Sequence, residues 1–162
     1  MDTFVQWVQA TPVSVWINQS TWIWPLCETL HFIGLSLLLG ITGFFDLRLM
    51  GFFRRISVGA ARDLMPLALA GFAINLITGA VFLIGLPGQY AHNPLWWTKL
   101  GAIMLAGLNA WWYETKLSAT VLALEPGADT PRAVKMIGLV SLVAWFTVLY
   151  CGRMLPFLGD AF

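Results

Sequence analysis

The stretch Trp22-Ile23-Trp24-Pro25-Leu26-Cys27-Glu28-Thr29-Leu30-His31-Phe32-Ile33-Gly34, continued through residues 35–47 as LSLLLGITGFFDL, decides the fold class. It runs for 26 residues with two charges, Glu28 and Asp46. A helix needs about 20 mostly apolar residues to cross a bilayer. Three further stretches meet that requirement, and together the expected spans cover about 22–47, 66–86, 95–113 and 136–155. Punctuation separates them: Arg54-Arg55 and Arg62-Asp63 before Pro66, Pro87-Gly88 and Asn93-Pro94, then Thr130-Pro131. No linker is long enough to divide the chain. The expectation is one all-α domain over residues 1–162, an integral membrane four-helix bundle.

Composition agrees with that reading. The 162 residues are 59% hydrophobic and 10% charged, with a mean hydropathy of +0.76, whereas a soluble domain carries about 25% charged residues. The net charge of +1 leaves no footprint for nucleic acid. Met1-Asp2-Thr3, followed by Gln6 and Gln9, does not read as a cleaved signal peptide. Cys27 and Cys151 are too few for a disulfide framework or a four-ligand zinc site. No Walker loop, dinucleotide fingerprint or nucleophile elbow occurs.

Charge placement sets the expected orientation. Seven of the nine basic residues, Arg48, Arg54, Arg55, Arg62, Lys116, Arg132 and Lys135, fall in the first and third loops. By the positive-inside rule both termini should be periplasmic in a multi-pass protein of a bacterial inner membrane. Trp22, Trp24, Trp96, Trp97, Trp111 and Trp112 fall where interfacial belts should lie. Before the first span, Phe4, Val5, Trp7, Val8, Val15 and Trp16 alternate with polar residues around Thr11-Pro12. This predicts one or two short amphipathic helices on the outer surface.

Only Glu28, Asp46, Lys99 and Arg153 carry charge within the spans. A helical rise of about 1.5 Å per residue puts Glu28 about 9 Å, His31 about 13 Å, Lys99 about 6 Å and Arg153 about 3 Å below the outer surface. Ionisable groups at such depth usually face a bundle interior. A His, a carboxylate and two cations in one half of a bundle suit an anionic cofactor, with haem b the sharpest candidate. His31 would ligate iron, Glu28 would orient it, Lys99 and Arg153 would hold propionates, and Gly34 with other span glycines would leave room for the ring. For a second axial ligand the sequence offers His92, in the second loop, or Met104, in the third span, and five-coordinate iron with neither is the third alternative. The same residues also permit a packing ion pair between Glu28 and Lys99, or a proton relay through Glu28, His31 and Lys99. Asn75 and Asn109 should bond between helices.

The residues 24–34 quoted above, with Asp46-Leu47-Arg48-Leu49-Met50-Gly51, resemble the first helix of a group of small bacterial four-span membrane proteins. More distantly they are similar to HemJ-type protoporphyrinogen oxidases and CopD-like membrane proteins. HemJ-type proteins pair a first-helix His with a third-helix Lys, matched here by His31 and by Lys99 in Trp96-Trp97-Thr98-Lys99-Leu100. The resemblance implies haem b binding and membrane redox chemistry. A Tyr-His pair of the HemJ-like third helix is replaced by Asn109-Ala110-Trp111, a departure that bears on porphyrinogen oxidation more than on haem binding. The expected function is electron transfer or redox chemistry on the periplasmic side, with a quinone, a redox partner protein or a neighbouring subunit as counterpart. The competing expectations are a cofactor-free accessory subunit of a larger membrane complex or homo-oligomer, and a small proton-coupled transporter.

Overall fold

The computed structural model describes residues 2–125 and 127–158; Met1, Pro126 and residues 159–162, and with them the two chain ends, lie outside that description. Its described residues are helical with no strand. In chain order the helices are α1 (Asp2–Gln9), α2 (Pro12–Gln19), α3 (Ile23–Leu49), α4 (Val58–Arg62), α5 (Met65–Gly85), α6 (Pro87–Ala91), α7 (Pro94–Lys116), α8 (Ser118–Leu122) and α9 (Arg132–Leu158).

Three segments are long and apolar enough to cross a membrane: Ile23–Leu49, Val58–Gly85 and Arg132–Leu158. At 27 residues each, α3 and α9 extend about 40 Å, more than the roughly 30 Å of a hydrocarbon core. The 23-residue α7 is long enough at about 34 Å but lacks their hydropathy. Lys99, Asn109 and four tryptophans dilute its apolar residues.

The packing is a bundle with one open side. Helix α3 packs along α5, α7 packs along α9, and α3 meets α9 between the two pairs, whereas α5 and α7 scarcely approach each other. Small residues set the close contacts, as is usual where lipid supplies no hydrophobic drive between helices. A Cβ on Gly138 of α9 would stand 2.6 Å from the Asp46 carbonyl oxygen of α3. Amides add specific links: Asn109 Nδ2 on α7 donates to the Ile137 carbonyl of α9 at 3.0 Å. Asn75 of α5, oriented with its nitrogen toward α3, donates to the His31 carbonyl at 2.8 Å and accepts from Leu35 N–H at 3.0 Å. Both asparagines thus bond between helices, as expected.

The two ends of the bundle differ. At one end, which we call the cap end, α1 and α2 are the amphipathic helices foreseen in the sequence. Thr11 caps α2 and Pro12 starts it. Ser14 Oγ donates to the Ile84 carbonyl at 2.9 Å and Asn18 Nδ2 to the Gly85 carbonyl at 2.8 Å. These satisfy two of the carbonyls that the last turn of α5 leaves without a helical partner. Trp7 and Trp16 remain exposed on the other faces.

The opposite, basic end holds the main apolar cluster, formed by Phe45, Leu49, Val58, Ala61, Tyr113, Val121 and Val134. Gly51, at φ 98°, makes the left-handed turn that ends α3. Arg62 pairs with Glu114 at 2.6 Å, and Asp129 takes both Arg54 at 3.3 Å and Lys135 at 2.8 Å. Arg48 is 1% exposed and donates through Nε to the Ile56 carbonyl at 2.6 Å, tying the first loop to α3.

Candidate functional site

His31 and Lys99 form the centre of the cap-end half. His31 Nδ1 lies 2.7 Å from Thr78 Oγ1 of α5. That hydroxyl also reaches the Ile74 carbonyl at 2.8 Å, and the Asn75 amide nitrogen lies 3.2 Å from Nδ1, so two α5 groups hold the Nδ1 edge of the ring. No described residue hydrogen-bonds Nε2. Phe82 tilts against the ring at 5.4 Å between centroids and stacks on Trp24 at 5.6 Å. The imidazole is therefore fixed on one edge by α5 and left available on the other, the arrangement that second-shell partners give a metal-ligating histidine.

Lys99 turns inward from α7 toward α9. Its Nζ would lie 3.3 Å from a Cβ built on Gly152 and 6.0 Å from the Trp96 ring centroid, and it is within electrostatic range of His31 and Cys151. No carboxylate among the described residues pairs with it. At the same end burial pushes the Tyr90 phenol above its usual range, keeping it a neutral group packed edge-on to Trp96 at 5.0 Å.

The other sequence-derived site residues are placed differently. Glu28 is exposed on α3 and makes no ion pair among the described residues; Thr78 occupies the orienting position expected of it. Arg153 is also exposed, with its guanidinium carbon 4.8 Å from the Phe157 ring, so it is not gathered beside Lys99. His92 is exposed at the C-terminal end of α6, and its buried neighbour Asn93 is the residue that turns in to cap α7 through Leu95 N–H at 2.9 Å. Met104 is 65% exposed on α7. Gly34 gives its space to α5: a Cβ there would meet the Gly71 carbonyl at 2.8 Å, so it serves helix contact and not a ligand face. Cys27 and Cys151 are buried free thiols.

Two glycines of the same half face open space. Gly79 of α5 and Gly101 of α7 have no heavy atom within 4 Å of a Cβ position, and their helices stand apart. Among the described residues no three His, Cys, Asp or Glu side chains converge as a bare metal ion would require. A haem asks for less, one imidazole and a cation, and His31 with Lys99 fit that donor set.

A second polar group was not foreseen as a site. Asp46, Asn109, Ser141 and Tyr113 line a cavity of about 240 Å³ in the basic-end half, bounded by all four long helices. The sequence showed Asp46 near a span end, where a carboxylate reaches water easily, and gave no sign that α9 would cover it. Comparison with family models, curated proteins and solved structures returned no match for this chain.

Proposed function

We propose that this chain is a four-span membrane protein that holds one haem b between α3, α5 and α7 in the cap-end half and serves electron transfer there. The observation that carries the reading is an imidazole tied down through Nδ1, with Nε2 unengaged among the described residues, within electrostatic range of an ammonium that has no carboxylate partner among them. When bound, the haem supplies one-electron redox chemistry. His31 would hold the iron, Thr78 would keep the orientation of its ring, and Lys99 would meet a propionate through a charge-assisted hydrogen bond. Arg153 joins Lys99 only by leaving Phe157, and Glu28 and His92 contribute only by turning inward.

The four long helices are the spans in this reading. The basic end faces the cytoplasm and the cap end, with its exposed Trp7, Trp16 and Trp22, lies at the periplasmic interface of a bacterial inner membrane. A quinone or a periplasmic redox protein is the counterpart. A proton relay through Glu28, His31 and Lys99 is less well supported, since Glu28 does not approach the other two.

An absorption spectrum of the purified protein tests the proposal. A Soret band that sharpens and shifts on dithionite reduction, and is lost in His31→Ala while the protein stays folded, is expected. Lys99→Met should weaken haem retention with the ligand intact. A folded, colourless protein that takes up no added haem overturns the proposal, and one that co-purifies with other subunits favours a cofactor-free accessory role.

A further inference from the structure

We infer that the cavity lined by Asp46 of α3 and Tyr113 of α7 is a binding site for the ring of a lipid-soluble quinone or hydroquinone. The inference does not rest on haem, which is placed in the other half of the bundle. Three observations carry it.

Two buried polar atoms face the cavity without a partner. Asp46 and Tyr113 are each 3% exposed; the Asp46 carboxyl takes Ser141 as one partner, but its Oδ2 and the Tyr113 hydroxyl have none among the described residues. An unsatisfied buried polar group costs stability, and two on different helices lining one cavity are an unusual coincidence in a packed bundle. Both line the same space.

The walls between them are apolar and aromatic. Phe72 and Trp145 pack edge to face at 6.2 Å across the cavity lining. The volume of about 240 Å³ is below the roughly 300–1,000 Å³ of sites that enclose a drug-sized ligand, and suits one substituted ring whose tail lies elsewhere. The third observation is the way in. Because α5 and α7 scarcely meet and both line the cavity, the gap between them offers a route from the lipid. A ligand entering there is already dissolved in the membrane.

A hydroquinone ring, with hydroxyls on opposite sides, answers both orphaned atoms, whereas the oxidised quinone answers only the Tyr113 hydroxyl. A hydroquinone hydroxyl donates to Asp46 Oδ2 while the other oxygen accepts from the Tyr113 hydroxyl. An alkyl chain satisfies neither, and a lipid alcohol only one.

The test uses the full chain in phosphatidylcholine nanodiscs, with decylubiquinone and its quinol as probes and quenching of tryptophan fluorescence as the signal; Trp145 lines the cavity. Saturable binding of the quinol is expected, weakened roughly tenfold in Tyr113→Phe, as for loss of one hydrogen bond to a buried partner. It should also weaken in Asp46→Asn, where a neutral amide oxygen replaces the carboxylate acceptor, and the oxidised quinone, with no donor for Asp46, should bind less tightly. Tyr113→Phe removes a hydroxyl that has no partner in the ligand-free chain, so its unfolding midpoint should not fall. The quinol should bind equally in protein prepared with and without added haemin, which separates this site from the haem reading. Non-saturable quenching, unchanged affinity in either cavity variant, or equal competition by decylbenzene overturns the inference.

Discussion

Gly34 on α3 and Gly71 on α5 lie back to back: a Cβ on Gly34 would stand 2.8 Å from the Gly71 carbonyl oxygen, and one on Gly71 2.6 Å from that of Gly34. The two backbones touch, and this contact is what lets the Asn75 amide reach the α3 main chain one turn further along.

Gly71→Ala should therefore destabilise the protein. Alanine gains about 1 kcal/mol of helix propensity over glycine, but the added methyl meets backbone that cannot move without separating α3 from α5, at a cost of about 1–3 kcal/mol. Gly79→Ala and Gly101→Ala meet no atom within 4 Å and should keep the propensity gain. Reversible unfolding of the three variants in mixed detergent micelles gives the comparison; equal stability for Gly71→Ala and Gly79→Ala would contradict the contact.

The different fates of these glycines show what was legible in the sequence. Span positions followed from hydropathy and punctuation, so residues 22–47 and 66–86 correspond closely to α3 and α5. That one glycine would be consumed by a neighbouring backbone and another left open depends on which helices pair, which a one-dimensional pattern does not encode. His31 and Lys99 were visible because ionisable groups are rare in spans. Thr78 was not, because a threonine in an apolar helix gives no signal until its partner across the interface is known. Tyr113 was hidden for a similar reason: its phenol reads as an interfacial residue beside Trp111 and Trp112, yet α7 buries it. The loop helices α4, α6 and α8 are too short for periodicity to mark.

The state of the His31 ring can be read directly. Ligation through Nε2 requires the proton on the imidazole to sit on Nδ1, toward Thr78 Oγ1, and nitrogen NMR of the ligand-free protein should report that tautomer. Thr78→Val should lower haem retention, whereas Thr78→Ser, which keeps the hydroxyl, should restore it. Finding the proton on Nε2, with the Asn75 amide nitrogen donating to Nδ1 across 3.2 Å, would remove the lone pair that iron needs.

Docking of α2 depends on two hydrogen bonds to the end of α5. Ser14 is 1% exposed, and Ser14→Ala strands the Ile84 carbonyl, for a loss of about 1 kcal/mol. Asn18→Ala removes a similar contribution at Gly85. The double variant should release α1 and α2 to proteolysis while leaving the four long helices protected, so mass spectrometry of the protected fragment should begin near α3. Retention of residues 2–20 under digestion would mean that apolar packing of Val8 and Ile17 suffices to hold them.

Acid should loosen the basic end before the bundle. The hydrogen bond from Lys135, with help from Arg54 and the Thr130 N–H, holds the Asp129 carboxyl below its usual range. A depressed folded-state value means that this link is present in full above the unfolded pKa of about 4 and is lost as pH falls below it. The carboxylate lies at the surface, so the change is local. The Thr130 amide, which donates to Asp129 Oδ1 at 2.9 Å, should lose protection from hydrogen exchange as the carboxylate takes a proton. Asp129→Asn should show that loss already at neutral pH, and high salt should weaken the Lys135 and Arg54 contacts without touching the Thr130 hydroxyl, which donates to the Leu49 carbonyl at 2.6 Å. Protection that stays flat down to pH 3 would show that the Leu49 bond alone orders the segment.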